Sequence, residues 1–148
     1  MTRYLPVFIT LVLLAAPPVR ADIAIIINSD SPVRSLSRDD AINIFMGRFR
    51  RLPDGSVALP IDQTPLRARF YKVLVNKEIA EINSWWARLV FSGRASPPQQ
   101  VANHDELLDI VMHNANALGY VDAASIDAAK VDAASTSTHM RVLLTLDE

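Results

Sequence analysis

The stretch DIAIIIN, residues 22–28, decides the fold of this chain. β-Branched residues fill most of it, and such residues favour strands over helices. Because the run is apolar without alternation, both faces of the strand should be buried, as in a sheet covered by helices on both sides. Residues 28–32 (NSDSP) close the strand, since Asn, Ser, Asp and Pro are typical of turns. The sequence therefore predicts an interior strand of an α/β domain.

The segment before this strand, residues 1–21, has the pattern of a secretory signal peptide. Arg3 supplies the positive start, and Ala21 ends a small-residue cleavage pattern. The apolar run between them is shorter than the roughly 20 residues that cross a bilayer. We expect cleavage after Ala21, which leaves one periplasmic or secreted domain at 22–148. Losing Arg3 and Arg20 takes the formal net charge from −1 to −3.

The composition excludes several classes of protein. The chain has 148 residues, of which 50% are hydrophobic, with 15 Lys and Arg against 16 Asp and Glu and no cysteine. This length and apolar content predict one folded domain and argue against disorder. Without a basic excess, charge-driven binding to nucleic acid is not expected. Without cysteine there are no disulfides, zinc-thiolate sites or cysteine nucleophiles.

Downstream of the first strand, helical patterns alternate with short apolar strands. Ser37 can cap a helix with the apolar stripe Ile42, Phe45 and Met46, and Gly47 fits its C′ position. The further predicted elements are a strand at 57–61, a helix capped by Thr64 with Pro65 as its first residue, a helix at 78–91, a helix led by Asn103, and strands at 117–121 and 142–146. The segment 122–138 is interpreted as a weak helix followed by a loop. This order predicts an α/β layered domain.

The sequence offers little for catalysis, metals or nucleotides. It has no G-x-S-x-G elbow, and its four glycines are scattered, unlike those of phosphate-binding loops. His104 and His113 are nine residues apart, which places them on opposite faces of a helix. We therefore expect no cofactor and no metal, and an enzyme is the least favoured class of function.

Two segments could attract an anion. The helix start at Thr64 offers a hydroxyl and free N–H groups, although Pro65 lacks one donor and Asp62 has the wrong charge. The loop at 92–96 (SGRAS) concentrates two hydroxyls, a glycine and a guanidinium. A simple N-cap and a helix-ending turn are the structural alternatives. The candidate ligand-binding residues are Thr64, Arg67, Ser92, Gly93, Arg94 and Ser96.

The densest basic patch consists of Arg48, Arg50 and Arg51. Such a run beside a turn is most often a solvated surface, and docking of a partner is the alternative. These three arginines are the candidate partner-binding residues. Trp85 and Trp86 could stack on a ligand, but helical spacing places Trp86 in the core stripe of its helix.

Four stretches form a distinctive combination when they are taken in order. They are residues 35–56 (SLSRDDAINIFMGRFRRLPDGS), 70–74 (FYKVL), 85–98 (WWARLVFSGRASPP) and 117–123 (ALGYVDA). Together they resemble the phosphate-type periplasmic substrate-binding proteins of ABC transporters, and in particular a short, single-lobe branch of them. The resemblance implies a single lobe of a type II periplasmic-binding-protein-like fold, with a mixed sheet flanked by helices.

The resemblance also implies a function. Full-length members close two lobes on an oxyanion, and the stretch 60–66 (PIDQTPL) matches the part of the second lobe that begins a helix with hydroxyl groups. Thr64 fits the first hydroxyl, whereas Pro65 and Leu66 replace Gly and Thr. The expected function is weak, non-enzymatic binding of phosphate or another oxyanion. The alternative is an accessory module that has lost the anion site and contacts a membrane transporter, a sensor protein or a second copy of itself.

Overall fold

The computed structural model describes residues 22–126 and 139–148. Their elements are β1 (Ile23–Asn28), α1 (Arg38–Phe45), β2 (Leu59–Gln63), α2 (Thr64–Val75), α3 (Ile79–Phe91), β3 (Gln99–Val101), α4 (His104–His113), β4 (Ala117–Asp122) and β5 (Met140–Leu146). The predicted signal peptide at 1–21 and most of the predicted weak helix and loop at 122–138 lie outside the described residues.

The strands form one mixed sheet in the order β3-β2-β4-β1-β5. β1 is antiparallel to both of its neighbours, β4 and β5. β2 is parallel to β3 and to β4. All six residues of β1 are buried, which confirms the interior strand predicted from residues 22–28. The α/β class with a mixed sheet is likewise confirmed.

Helices cover both faces of this sheet. Ile23, Ile25 and Ile27 belong to the larger core, which α1, α2 and α3 close. Ala24 and Ile26 point to the opposite face and belong to a smaller core, which α4 closes. Because successive side chains of a strand alternate between faces, the uninterrupted apolar run of β1 supplies both cores at once.

Local signals fix the ends of α1 as predicted. The Ser37 Oγ accepts a hydrogen bond from the Asp40 N–H at 3.0 Å. After the C-cap Met46, Gly47 takes φ +71°, in the left-handed region that favours glycine. A Cβ at Gly47 would lie 2.4 Å from Cη2 of Trp86, so only glycine fits the space between α1 and α3.

The bounds of several elements differ from the prediction. β4 ends at Asp122 instead of 121, and β5 begins at Met140 instead of 142. β2 lies at 59–63 instead of 57–61, and Thr64 is the first residue of α2, so its prediction as the N-cap is wrong. Gln63 occupies the cap position without a side-chain cap. Its buried amide instead donates to the Tyr120 carbonyl at 2.7 Å, which extends the strand into polar sequence. The short polar strand β3 was not predicted, because two of its three residues are exposed glutamines without a periodic pattern.

Candidate functional site

The carboxyl end of β2 carries a buried acid. Asp62 is 0% exposed and Gln63 is 2% exposed, and the chain enters α2 without an intervening loop. β2 and β3 are parallel, so their carboxyl ends share one edge. In open α/β sheets ligands commonly bind outside this edge, so these residues define the first candidate site.

Three side chains satisfy the Asp62 carboxylate. The Arg67 Nε donates to Oδ2 at 3.1 Å, and the Tyr120 hydroxyl donates to Oδ1 at 3.1 Å. The Tyr71 hydroxyl lies 3.1 Å from Oδ1 and 3.2 Å from Oδ2. A buried charge is tolerated only when it is paired and hydrogen-bonded in this way.

Burial also shifts the protonation equilibria of these groups. Burial raises the pKa of Asp62, and the hydrogen bond and charge of Arg67 partly oppose this increase. Burial, and after it the charge of Asp62, raises the pKa of both tyrosine hydroxyls far above its ordinary value. Tyr71 and Tyr120 therefore remain protonated donors. Since Asp62 is enclosed by its donors and has no solvent contact, it positions Arg67 and has no access to a bound ligand.

Arg67 is held in one place by contacts with two helices. Its Nε bonds Asp62, its Nη1 donates to Oδ1 of Asn83 on α3 at 2.7 Å, and its guanidinium lies 5.6 Å from the ring centroid of Tyr71. The side chain is 13% exposed. Within the described part of the chain the Nη2 group has no partner. Arg67 is three residues after Thr64, so the two residues lie on the same side of α2.

Thr64 lies at the surface at the start of α2. Its hydroxyl donates to the Val101 carbonyl of β3 at 3.1 Å, which leaves the lone pairs of its oxygen as acceptors only. No side chain caps α2. The first N–H groups of a helix have no intrahelical partner and favour an anion, although Pro65 contributes none. Thr64 and Arg67 thus both lie in the first turn of α2, a helix terminus of positive polarity.

The other predicted ligand residues lie elsewhere. Ser92 is the C-cap of α3, Gly93 has φ +69°, and the Arg94 N–H donates to the Leu89 carbonyl at 3.0 Å. They form the turn that ends α3. This turn leads to the amino end of β3, whereas Thr64 follows the carboxyl end of β2. Because β2 and β3 are parallel, the structure does not bring Ser92, Gly93, Arg94 and Ser96 next to Thr64 and Arg67.

The three arginines of the basic patch make different contacts. The Arg48 guanidinium lies 5.9 Å from the ring centroid of Trp85. The Arg51 Nη1 donates to the Gly55 carbonyl at 2.8 Å, within its own turn. Arg50 is partly buried, and its Nε and Nη2 have no hydrogen-bond partner among residues 22–126 and 139–148. Of the three, Arg48 faces a second helix.

The Asp62 network is the feature that sequence reasoning missed. The sequence presented Asp62 as an unfavourable charge beside Thr64. A usable signal was the spacing of Arg67 and Tyr71, which are four residues apart and share a helix face just after the acid. Tyr120 carried no such signal, because β4 brings it to Asp62 from 58 residues along the chain.

Two further observations concern metals and membranes. The described residues contain no group of three or more His, Asp or Glu side chains placed to hold a metal ion. His113 pairs with Asp109 at 3.4 Å, and both side chains are about seven-tenths exposed. Within residues 22–126 and 139–148, no helix is long and apolar enough to cross a membrane.

No protein-family model matches the chain, and no curated protein sequence does. Three solved structures are similar in fold. They are an ABC-type phosphate transport receptor of Vibrio cholerae (TM-score 0.57, 15% identity), a protein of Clostridium perfringens described as a phosphate ABC transporter substrate-binding protein and solved with bound phosphate (0.54, 14%), and a protein of Planctomyces limnophilus described as a phosphate-binding candidate (0.54, 12%).

These similarities cover most of this chain and about half of each neighbour. In the order given above, the aligned regions cover 83%, 86% and 83% of this chain, and 46%, 56% and 41% of the neighbouring chains. At such low identity the similarity establishes the fold. As far as the fold is concerned, it confirms the resemblance inferred from residues 35–56, 70–74, 85–98 and 117–123. The chain has the fold of a single lobe of a type II periplasmic binding protein of the kind found in phosphate ABC transporter receptors.

Proposed function

We propose that this chain is an exported, non-enzymatic module that binds phosphate or another small oxyanion weakly at the start of α2. The observation that supports this function is the placement of Thr64 and Arg67 on one side of an uncapped helix terminus, at the carboxyl edge of the parallel strands. Backbone N–H groups at a helix terminus and a guanidinium are groups that proteins use to bind oxyanions, and the Thr64 hydroxyl adds a donor when it turns from the Val101 carbonyl to the anion.

The same geometry limits the affinity. Asp62 Oδ2 lies 3.1 Å from the Arg67 Nε, so the negative charge of Asp62 weakens the attraction of the guanidinium for an anion. Pro65 removes one N–H from the first turn. The chain also spans only about half the length of its structural neighbours, and a single lobe encloses an anion from one side. We expect a dissociation constant of about 1 mM or weaker, corresponding to roughly 4 kcal/mol of binding free energy.

Calorimetric titration with sodium phosphate tests this proposal. Protein purified after expression of the full chain should release or absorb heat at millimolar phosphate. Thr64→Val should weaken the binding about threefold or more, because it removes, at nearly constant shape, the hydroxyl that turns from the Val101 carbonyl to donate to the anion. Arg34→Gln is the matched control, since Arg34 is exposed and distant in sequence from α2. Absence of heat from the unmodified protein at 20 mM phosphate, roughly twentyfold above the expected constant, would contradict the anion site.

A second candidate function is an accessory interaction module that has kept the fold and lost the anion site. The engagement of Arg67 by both Asp62 and Asn83 favours it, because those contacts use two of the three guanidinium nitrogens. A membrane transporter or a sensor protein would be the partner, and Arg48, Arg50 and Arg51 are the predicted docking residues.

Replacing all three arginines with Ser tests this second function. Affinity capture from a periplasmic extract should recover one specific protein with the unmodified chain and less of it with the triple variant. Equal capture by both would remove Arg48, Arg50 and Arg51 from the interaction. Sedimentation of the purified protein distinguishes capture of another protein from pairing of two copies of this chain.

A further inference from the structure

A basic groove lies between the end of α1 and the exposed side of α3. We define the basic groove by Arg48, Lys77, Trp85 and Arg88, with Met46 and Ser84 also on its wall; its volume is about 400 Å³. None of these residues belongs to the Thr64 and Arg67 site. We propose that the basic groove binds an acidic peptide segment of a partner protein, one that carries an apolar side chain among its carboxylates.

The charges of the basic groove are not neutralised within the described chain. Arg48, Lys77 and Arg88 make no ion pair with any residue in 22–126 or 139–148. The groove holds one acid, Glu81, whose carboxylate accepts a hydrogen bond from the Glu78 N–H in the capping box of α3. The formal charge of the groove is therefore +2, although the whole chain carries −1. A ligand with at least two negative charges complements it.

Trp85 gives the basic groove a fixed apolar wall. Its indole Nε1 donates to the Met46 carbonyl at 3.0 Å, and the Arg48 guanidinium lies 5.9 Å from its ring centroid. Trp86, next along the helix, is buried in the core, so the two tryptophans have separate roles. A held indole flanked by arginines is the composition found at the energetic centre of protein interfaces.

Two exposed aromatic side chains lie close in sequence to the arginines of the groove. Phe49, next to Arg48, is 59% exposed, and Phe91, one turn after Arg88 on α3, is 96% exposed. A free inorganic anion would contact the cations but would make no contact with these aromatic rings. A flat lipid surface would meet the exposed cations but would leave the indole wall between them without an apolar partner. An extended peptide with acidic and apolar side chains satisfies both features.

Fluorescence anisotropy with a labelled peptide of sequence EEFEE tests the proposal. Using protein from the full chain, we expect saturable binding that weakens as NaCl is raised. The double variant Arg48→Gln/Arg88→Gln should lower the affinity about tenfold, since each exposed charge contact contributes modestly. Arg34→Gln should change it by less than about twofold, and the charge-reversed peptide KKFKK should not bind. Equal losses in Arg34→Gln and in the groove variants would overturn the proposal.

Tryptophan emission locates the bound peptide. Unlabelled EEFEE should quench the emission of the unmodified protein and leave that of Trp85→Phe unchanged, because only Trp86 then emits. Quenching that persists in Trp85→Phe would exclude the groove. Binding to phosphatidylglycerol vesicles without binding to the peptide would assign the surface to a membrane and overturn the proposal. Thr64→Val should retain peptide binding, so the proposal for the basic groove is tested independently of the proposed phosphate site.

Discussion

Asp62 is a buried charge whose environment is built almost entirely from three side chains. Moving an isolated carboxylate out of water is costly, and the attraction to Arg67 alone does not ensure a gain. Here two tyrosine hydroxyls add hydrogen bonds at 3.1–3.2 Å, so no face of the carboxylate is left without a donor. Removing one partner should therefore cost more than the loss of an ordinary surface ion pair.

The pKa of Asp62 leads to a pH-dependent prediction. Because burial raises this pKa in the folded state, the stabilisation due to Asp62 is complete below about pH 4 and decreases as the pH rises through the folded pKa. Unfolding in urea at pH 4, 5.5 and 7 should show that Asp62→Asn is less stable than the unmodified protein by about 1 kcal/mol at pH 4, because the amide presents an NH₂ group to side chains that donate hydrogen bonds. The difference should be smaller at pH 7.

The control for this series is Asp30→Asn, which removes an exposed carboxylate from a turn. Its stability difference should stay within about 0.5 kcal/mol at each pH. A gap between Asp62→Asn and the unmodified protein that widens toward pH 7 would mean that Arg67 outweighs burial in setting the pKa of Asp62.

At this scale the sequence could identify Thr64 and Arg67 as neighbours, because three residues along a helix bring side chains together. It could not identify the partners of Asp62. Tyr120 approaches only after β4 has paired with β2, and that pairing depends on the whole sheet. Contacts within one helical turn can be predicted from the spacing of residues in the sequence, whereas contacts between strands cannot.

At the scale of elements, the junction of α1 and α3 depends on Gly47. An alanine there would have to adopt φ near +71° and would place its Cβ 2.4 Å from the Trp86 ring. The left-handed conformation costs about 1–2 kcal/mol, and overpacking of a core costs about 1–3 kcal/mol more. We expect Gly47→Ala to lower the free energy of unfolding by about 2–5 kcal/mol, measured by urea denaturation.

Gly55→Ala is the matched control for this variant. Gly55 has φ +86°, but nothing lies within 4 Å of the position of a Cβ. It should therefore show the conformational cost alone, about 1 kcal/mol. Equal losses for the two alanine variants would mean that the Trp86 ring moves aside at no cost.

One side chain of β5, that of Arg141, bonds three backbone carbonyls of the loop after β1. The Arg141 Nη1 donates to the carbonyls of Ser31 and Val33, each at 2.8 Å, and its Nη2 donates to the Ser29 carbonyl at 2.9 Å. Arg141→Lys should lower stability by about 2 kcal/mol, because an ammonium group cannot reach three carbonyls as a planar guanidinium does.

Hydrogen exchange provides the readout for Arg141. The amides of Asp30, Ser31 and Val33 should exchange faster in Arg141→Lys, while amides at the centre of α3 should not. The Ser29 N–H is a useful internal reference, because it bonds the His139 carbonyl directly. Unchanged exchange throughout the loop would show that these three hydrogen bonds do not determine its order.

Most elements were predictable from local signals. The apolar run of β1, the Ser37 cap of α1 and the Asn103 cap of α4 each lie within a few residues of the structure they specify. α2 starts one residue earlier than predicted. The reason is that β2 continues through the buried polar residue Gln63, which then occupies the N-cap position. β3 was missed, since only its pairing with β2 makes three residues a strand.

At the scale of the whole molecule, the two cores explain why one lobe can be stable alone. β1 is buried on both faces, and helices close each side of the sheet, so the core does not depend on a second lobe. A binding cleft has the opposite requirement, because the anion must be enclosed from two sides. We therefore expect a single lobe to keep its fold and to bind a solute more weakly than two lobes that close on it.

Export is the remaining prediction for the whole molecule, and it concerns residues 1–21. A positive start, a short apolar run and a small residue at Ala21 are the three features that signal peptidase substrates share. Expression of the full chain in a Gram-negative host should yield periplasmic protein whose N-terminal sequence begins at Asp22. The chain without residues 1–21 is the control and should stay in the cytoplasm. Recovery of the full chain in the membrane fraction, with Met1 retained, would instead show that the apolar run serves as an uncleaved anchor.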